Sequence, residues 1–373
     1  MDYLTLQQYW WFLVSLLGAL FVFLNFVQGG QSLLFSIGKT AKEKELLLHT
    51  IGAHWELTFT TLVTFGGAFF ASFPLFYATS FGGAYWVWFA ILVLFILQAV
   101  SFKFHKKASN FLGEKTYEVF LWLNGTLAPL LVGTAVGTFF NGAQFTLDQY
   151  NSVHWQTSFR GLEAVLNWHN VSLGLALVFL ARILGAMFYI NRIDEEEIRA
   201  RARKQVLYNT IPFLVFFLAF AVALLFKQGV GYTMNGDTPV FAIEDGKYLS
   251  NFLAMPVVLV MFLLGVVGVL LAIGRTIFTK CTKCIWVGSL GTVLVVLSVF
   301  LIAGYNGTAF YPSGVDIQSS LCIQNASSSK FTLVAMSYVS LGVPFVLAYV
   351  WYAWKSLTKK EESLSDLPDE AQY

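Results

Sequence analysis

Apolar residues along the chain gather into nine long runs, at 8–37, 50–74, 81–104, 116–140, 162–191, 205–227, 251–274, 284–304 and 329–357. Each approaches or exceeds the roughly 20 residues that an α-helix needs to cross a hydrocarbon core. Between them lie polar stretches that hold nearly all of the charge. The second and third runs are the most telling. They open with Ile51-Gly52-Ala53-His54-Trp55-Glu56, and no charged residue follows from Leu57 through Phe102. Helix breakers at Phe73-Pro74 and Phe81-Gly82-Gly83 divide this stretch into two spans. The pattern predicts an all-α integral membrane chain of nine transmembrane helices.

Composition agrees: 57% of the 373 residues are hydrophobic and only 12% charged, against roughly 25% charged in soluble domains. Mean hydropathy is +0.66. The position of the charge says more than its sum. Of the Lys and Arg residues, 18 fall at the N-terminus-distal ends of runs one, three, five, seven and nine, and four (Arg160, Lys227, Lys247, Lys330) at the opposite junctions. Arg182 lies inside the fifth run. The positive-inside rule then places the N-terminus outside and the C-terminus in the cytoplasm, which an odd number of spans also requires. Run one is too long for a cleavable signal's apolar core and reads as the first span. The acidic tail 361–373 reads as disordered. In 194–201, Glu195 with Arg199 and Glu197 with Arg201 have the spacing of a solvated helical extension.

Candidate chemistry gathers at one depth. Asn25, Gln28, Gln31 and Ser32 share a face of the first helix. His54 and Glu56 begin the second, and Gln98 and Lys103 end the third. Lys103 is the natural partner for Glu56, since a buried carboxylate needs one. Two readings stand side by side: a hydrophilic inlet for protons or water, and a structural polar cluster joining three helices. A second polar group, Arg160, Glu163, Asn167, His169 and Asn170, reads as an interfacial cap. Gly133 and Gly137 have the spacing that lets helices approach closely.

The five histidines, His49, His54, His105, His154 and His169, include no pair at i,i+3 or i,i+4, so a self-contained metal or bis-histidine haem site is not expected. Cys281 and Cys284 have redox-like spacing but sit in a basic connection with no βαβ context; they read as a reduced, inert pair, and Cys322 stands alone. No phosphate-binding glycine loop or nucleophile–His–acid set is evident, and nothing points to nucleic acid.

Several strings, in order over the whole chain, resemble subunit II of cytochrome bd-type quinol oxidases. They are Ile51-Gly52-Ala53-His54-Trp55-Glu56; Gly66-Gly67-Ala68-Phe69-Phe70-Ala71-Ser72-Phe73-Pro74 with Tyr77; Pro129-Leu130-Leu131-Val132-Gly133-Thr134-Ala135 with Asn141-Gly142; Arg199-Ala200-Arg201-Ala202-Arg203; and Tyr311-Pro312-Ser313 followed by Leu321-Cys322-Ile323-Gln324-Asn325-Ala326-Ser327-Ser328-Ser329. The resemblance implies a four-helix bundle over 1–145, a second with its outer loops over 146–310, an outer loop and ninth helix over 311–360, and a tail over 361–373. It implies no catalytic residue and no cofactor ligand on this chain. Haems b and d belong to a partner subunit I, with quinol and oxygen as substrates of the complex. Small single-helix subunits and a bound quinone or lipid are compatible with it.

The chain departs from the family pattern where the family commonly has acids. Gln28-Gly29-Gly30-Gln31 carries amides, and Lys103 is a base at an acidic position. Only Glu56 keeps a carboxylate. Amides orient water but do not accept protons at ordinary pH, so the departure favours the structural reading of Asn25, Gln28, Gln31, His54, Glu56 and Lys103. A secondary transporter, whose sites lie at broken helices near the midplane, and a purely structural membrane protein are the rival classes.

Overall fold

The computed structural model describes residues 2–107, 110–236, 238–358 and 362–364. Its helices are α1 (Tyr3–Leu24), α2 (Phe26–Ser32), α3 (Leu34–Ile37), α4 (Ala41–Gly52), α5 (Trp55–Ser72), α6 (Pro74–Tyr77), α7 (Tyr85–Phe104), α8 (Glu114–Asn141), α9 (Trp168–Arg192), α10 (Glu196–Phe226), α11 (Lys247–Ala254), α12 (Pro256–Phe278), α13 (Cys284–Gly304), α14 (Lys330–Ser340) and α15 (Val343–Leu357). Among the described residues, seven helical stretches are long and apolar enough to cross a membrane; the bent pair α14–α15, with an angle of 43°, makes an eighth if it is one span.

Two boundaries differ from the sequence expectation. The run at 50–74 is preceded by a separate helix, α4, where a short charged connection was expected. Thr40 accepts from the Glu43 backbone N–H, and the Glu43 carboxylate accepts from the Thr40 backbone N–H. This reciprocal cap starts a helix among the lysines. The run at 162–191 begins as a 3₁₀ turn, Leu162–Leu166, and becomes α-helical only at Trp168. There the Asn167 side chain accepts from the His169 N–H and sets the new start.

The chain is also less purely helical than expected. Three two-stranded antiparallel sheets occupy the connections: β1 (Phe145–Leu147) with β2 (Val153–Trp155), β3 (Gly229–Asn235) with β4 (Thr238–Glu244), and β5 (Ala309–Tyr311) with β6 (Leu321–Cys322). Two sequence strings 170 residues apart meet here. Ala143 N–H donates to Pro312 O at 3.0 Å and Gly314 N–H to Ala143 O at 2.9 Å. Gly142, at φ +76°, lies so close to Pro312 that a Cβ would stand 2.5 Å from its carbonyl oxygen, so the turn needs glycine.

The interior packs in layers along the helices. Toward the sheets, Trp11 is wedged among Phe69, Phe73 and Phe310, the last at 4.4 Å between ring centroids. The first helix is fastened to α14 and to the residues that lead into it. Tyr3 Oη donates to Ser328 O at 2.7 Å, Gln7 Nε2 to Ser327 Oγ at 2.6 Å and Trp10 Nε1 to Ser337 Oγ at 3.1 Å; Tyr9 Oη and Ser340 Oγ lie 2.8 Å apart.

Cys281 and Cys284 are joined in a disulfide, which corrects the expectation of a reduced pair: four residues of connection bring the two Sγ atoms within bonding reach. Of the tail, 361 and 365–373 lie outside the described residues. Glu362, expected within a disordered segment, is held firmly. Its backbone exchanges hydrogen bonds with Arg192 and Asp194, each 2.8 Å, and its carboxylate accepts from Thr50 Oγ1 at 2.6 Å and meets His49 Nδ1 at 3.2 Å and Arg192 Nη2 at 3.7 Å.

Candidate functional site

Glycine lets α2 thread between α8 and α9. A Cβ on Gly29 would stand 1.8 Å from Ala181 O, one on Gly125 2.4 Å from Gln28 O, and one on Gly185 2.3 Å from Gly30 N. At this crossing the backbones touch, and long polar side chains from α2 reach α7 and α8.

The result is a chain of amides. Gln28 Nε2 donates to Gln98 Oε1 at 3.4 Å, Gln98 Nε2 donates to Gln31 Oε1 at 3.1 Å, and Gln31 Nε2 donates to Asn124 Oδ1. All four residues are buried. Asn25 is buried too, and donates only to Phe21 O within its own turn, at 2.8 Å. Beside this chain and not bonded to it, Ser32 accepts from Arg182 Nε at 3.1 Å and Thr126 accepts from Arg182 Nη2 at 3.3 Å. Three atoms, Asn25 Oδ1, Gln28 Oε1 and Asn124 Nδ2, have no protein partner. Amides and hydroxyls of this kind fix helices and orient water, but do not exchange protons with it as acids do.

The other sequence candidates are not part of this line. Glu56 and Lys103 are exposed and, among the described residues, no ion pair joins them. The expected pairing fails for a geometric reason: both side chains point away from the helix faces that bury Thr58 and Gln98. His54 is buried at the break between α4 and α5, wedged against Trp354 at 4.5 Å, Phe188 at 5.1 Å and Phe26 at 6.0 Å, with neither ring nitrogen hydrogen-bonded. Asn124, glutamine's acceptor, and Arg182 were visible only as an isolated polar residue and an isolated charge in apolar runs. Glu362 lay in a tail without pattern.

The second polar group forms a cap. Asn141 Nδ2 donates to Asn170 Oδ1 at 2.6 Å and lies 2.8 Å from His169 Nδ1, while His169 Nε2 lies 3.2 Å from Phe220 O. Glu163 accepts from Thr157 Oγ1 and Gly161 N–H, each at 2.8 Å. Arg160 stands over the Tyr85 ring.

A cavity of about 320 Å³ lies between α1, α5, α8, α9, α10, α12 and α13, with Phe21, Phe65, Val132, Leu177, Phe217 and Phe300 among its walls. No histidine, methionine or cysteine lines it, so the donor set does not fit a haem iron. Among the described residues, no group of three His, Cys, Asp or Glu is placed to hold a metal ion.

Several apolar membrane-crossing helices, glycine crossings and a buried amide line define a multi-pass helical subunit whose interior is built for packing. The whole length carries one signature. The chain belongs to the cytochrome bd terminal oxidase subunit II family, whose model matches residues 6–357. It is 28% identical over 371 residues to "Cytochrome bd-I ubiquinol oxidase subunit 2" of Escherichia coli (strain K12), covering 95% of each chain. It is 24% identical over 367 residues to "Cytochrome bd ubiquinol oxidase subunit 2" of Bacillus subtilis (strain 168), covering 97% of this chain and 99% of the relative. Its fold matches "The structure of bd oxidase from Geobacillus thermodenitrificans" with a TM-score of 0.62 at 14% identity, over 94% of this chain and 98% of that one.

Proposed function

We propose that this chain is the haem-free subunit II of a bd-type quinol oxidase in a bacterial cytoplasmic membrane. The complex oxidises quinol, reduces oxygen to water and generates a proton motive force. The observation that carries the reading is the family match across residues 6–357. In this reading the partner subunit I holds haems b and d, and α5 completes nine spans with the N-terminus outside and the C-terminus in the cytoplasm. The divisions 1–145, 146–310 and 311–360 are the two bundles and the ninth helix. Small subunits, lipid or a bound quinone accompany it.

Within the complex the chain acts as scaffold. The amide line is a structural lock: the hydrogen bonds Gln28–Gln98, Gln98–Gln31 and Gln31–Asn124 tie α2, α7 and α8 together in a low-dielectric interior, where each such bond is strengthened. Glu56 and Lys103, exposed on α5 and α7, stand apart from it, and among the described residues no carboxylate is hydrogen-bonded to Asn25, Gln28 or Gln31, which supports the structural reading over a proton inlet.

The test is an absorption spectrum of the complex purified through a tag on this chain. Haem bands should co-purify, and single replacement of each histidine should leave every band in place in complexes that assemble. Loss of one haem from an otherwise intact complex overturns the haem-free assignment. A preparation of this chain with no haem at all overturns the oxidase reading and returns the transporter and structural classes.

A further inference from the structure

Arg182 is a cation in a membrane-crossing helix without a carboxylate partner among the described residues. Its hydrogen bonds go to Ser32 Oγ and Thr126 Oγ1, both neutral, and its ring contact is with Phe179 at 5.8 Å. Among the described residues Nη1 makes no hydrogen bond, and the side chain is half-buried. Ionisable groups at such positions are paired or mark a site.

Its depth can be read from the antiparallel pair α9–α10. The two helices turn at Ile193–Glu195, and His169 Nε2 meets Phe220 O, so residues equally far from the turn lie level. Arg182 precedes Asp194 by as many residues as Val206 follows it. From Val206 to Phe226, α10 carries no charge and rises about 30 Å, the thickness of a hydrocarbon core. Arg182 therefore lies where α10 passes from its charged first turns, with Arg199, Arg201, Arg203 and Lys204, into apolar sequence. That level is the edge of the hydrocarbon, where lipid phosphates begin.

The surroundings suit a headgroup. Trp122, one turn before Thr126 on α8, is exposed, and so is Tyr208, on the α10 stripe with Pro212 and Phe216; Phe216 stacks on Phe179. Amphipathic aromatic rings favour this interface. Nearby basic residues are largely engaged: Arg199 with Asp194, Arg201 with Glu43, Arg203 with Glu196. We infer that Arg182, with Trp122 and Tyr208 at its mouth, binds the phosphodiester of an anionic phospholipid in the groove between α8 and α10. Two hydroxyls orient the guanidinium, and its free edge presents the fork that matches phosphate oxygens. The inference rests on the membrane-spanning reading of these helices and not on the oxidase reading, which haem bands in the same preparation test separately.

The experiment uses the intact complex in nanodiscs of phosphatidylcholine with or without phosphatidylglycerol, with retained lipid measured by native mass spectrometry. Wild type should keep phosphatidylglycerol after transfer to phosphatidylcholine, and Arg182→Gln should lower that retention about ten-fold, as expected for loss of a charged hydrogen-bonded contact. Arg182→Lys, which preserves charge and so assembly, should retain less than wild type because a point charge lacks the fork. No selective retention by wild type overturns the proposal without reference to any variant. Equal retention by Arg182→Lys and wild type overturns the role of the fork. Displacement of the lipid by millimolar inorganic phosphate would show that the site takes a free oxyanion, which overturns the lipid assignment.

Discussion

Gln98 Nε2 donates to Gln31 Oε1 at 3.1 Å, and the same Gln31 donates to Asn124, so one side chain from α2 holds α7 and α8 together. Removing it strands two buried amides. Gln31→Leu should therefore destabilise the complex by about 1–3 kcal/mol, the cost of orphaned buried polar groups. Gln31→Leu/Asn124→Leu should cost less than the sum of the single changes, because the partner that would be stranded is also removed. Thermal unfolding of the purified complex checks this; strict additivity would refute the lock.

Glu56 and Lys103 should behave as strangers. Both are exposed and no ion pair joins them. In a double-mutant cycle with Glu56→Gln and Lys103→Met, the coupling should fall within the roughly 0.3–0.5 kcal/mol scatter of independent sites. A coupling of several kcal/mol would restore the ion pair expected from sequence.

Glycines divide sharply by position. Gly29→Ala drives a Cβ into Ala181 O, whereas a Cβ on Gly67 meets nothing within 4 Å. Gly29→Ala should cut the yield of assembled complex strongly, since overpacking against backbone costs about 1–3 kcal/mol or more. Gly67→Ala should be neutral or stabilising by about 0.5–1 kcal/mol, because it lies within α5. Yields of spectrally intact complex from matched membranes decide between them.

The docking of Glu362 should weaken in alkali. The hydrogen bond to Glu362 is the largest influence on His49 and raises its pKa above the ordinary 6.5, against burial. Burial pushes the Glu362 carboxyl upward, but hydrogen bonds from His49 and Thr50 and the charges of His49 and Arg192 together bring it below 4.5. The histidine contribution is complete below 6.5 and is lost as pH rises through its raised value; the carboxylate contribution is complete above 4.5 and is lost as pH falls through its lowered value. Protease access to the tail should be least between these limits and should grow on the alkaline side. Glu362→Gln should raise access throughout and flatten the alkaline rise. An unchanged profile in that variant would remove His49 from the latch.

What was legible in the sequence was whatever has a period or a local signature. Apolar runs mark most helices, and the spacing of Gly133 and Gly137 marks a close contact: a Cβ on Gly133 would stand 2.6 Å from Gly174 Cα. The start of α4 is also written locally, in Thr40 and Glu43, within a lysine-rich stretch that otherwise has the composition of a short charged connection. The partners of Gln31 were not legible. Gln28, Gln31 and Gln98 declare polarity without saying which way they point, and Asn124 and Arg182 lie alone in apolar helices. Glu56 and Lys103 do not pair for the same reason, because opposite charge at one depth does not fix azimuth. Glu362 could not be found at all, since its contacts with Thr50 and Arg192 join segments far apart in the chain.

The fastening of α1 to the Ser327–Ser340 stretch bears on the order of biosynthesis. Gln7 and Trp10 enter the membrane first, yet the groups that satisfy them are more than 300 residues away. Until the stretch from Ser327 to Ser337 has been made, Gln7 and Trp10 lack the acceptors they hold in the folded chain, so the packing of the first helix is completed only near the end of translation. A chain interrupted before Ser327 would thus be defective at its opposite end, with Gln7 and Trp10 of the first helix both left without these partners.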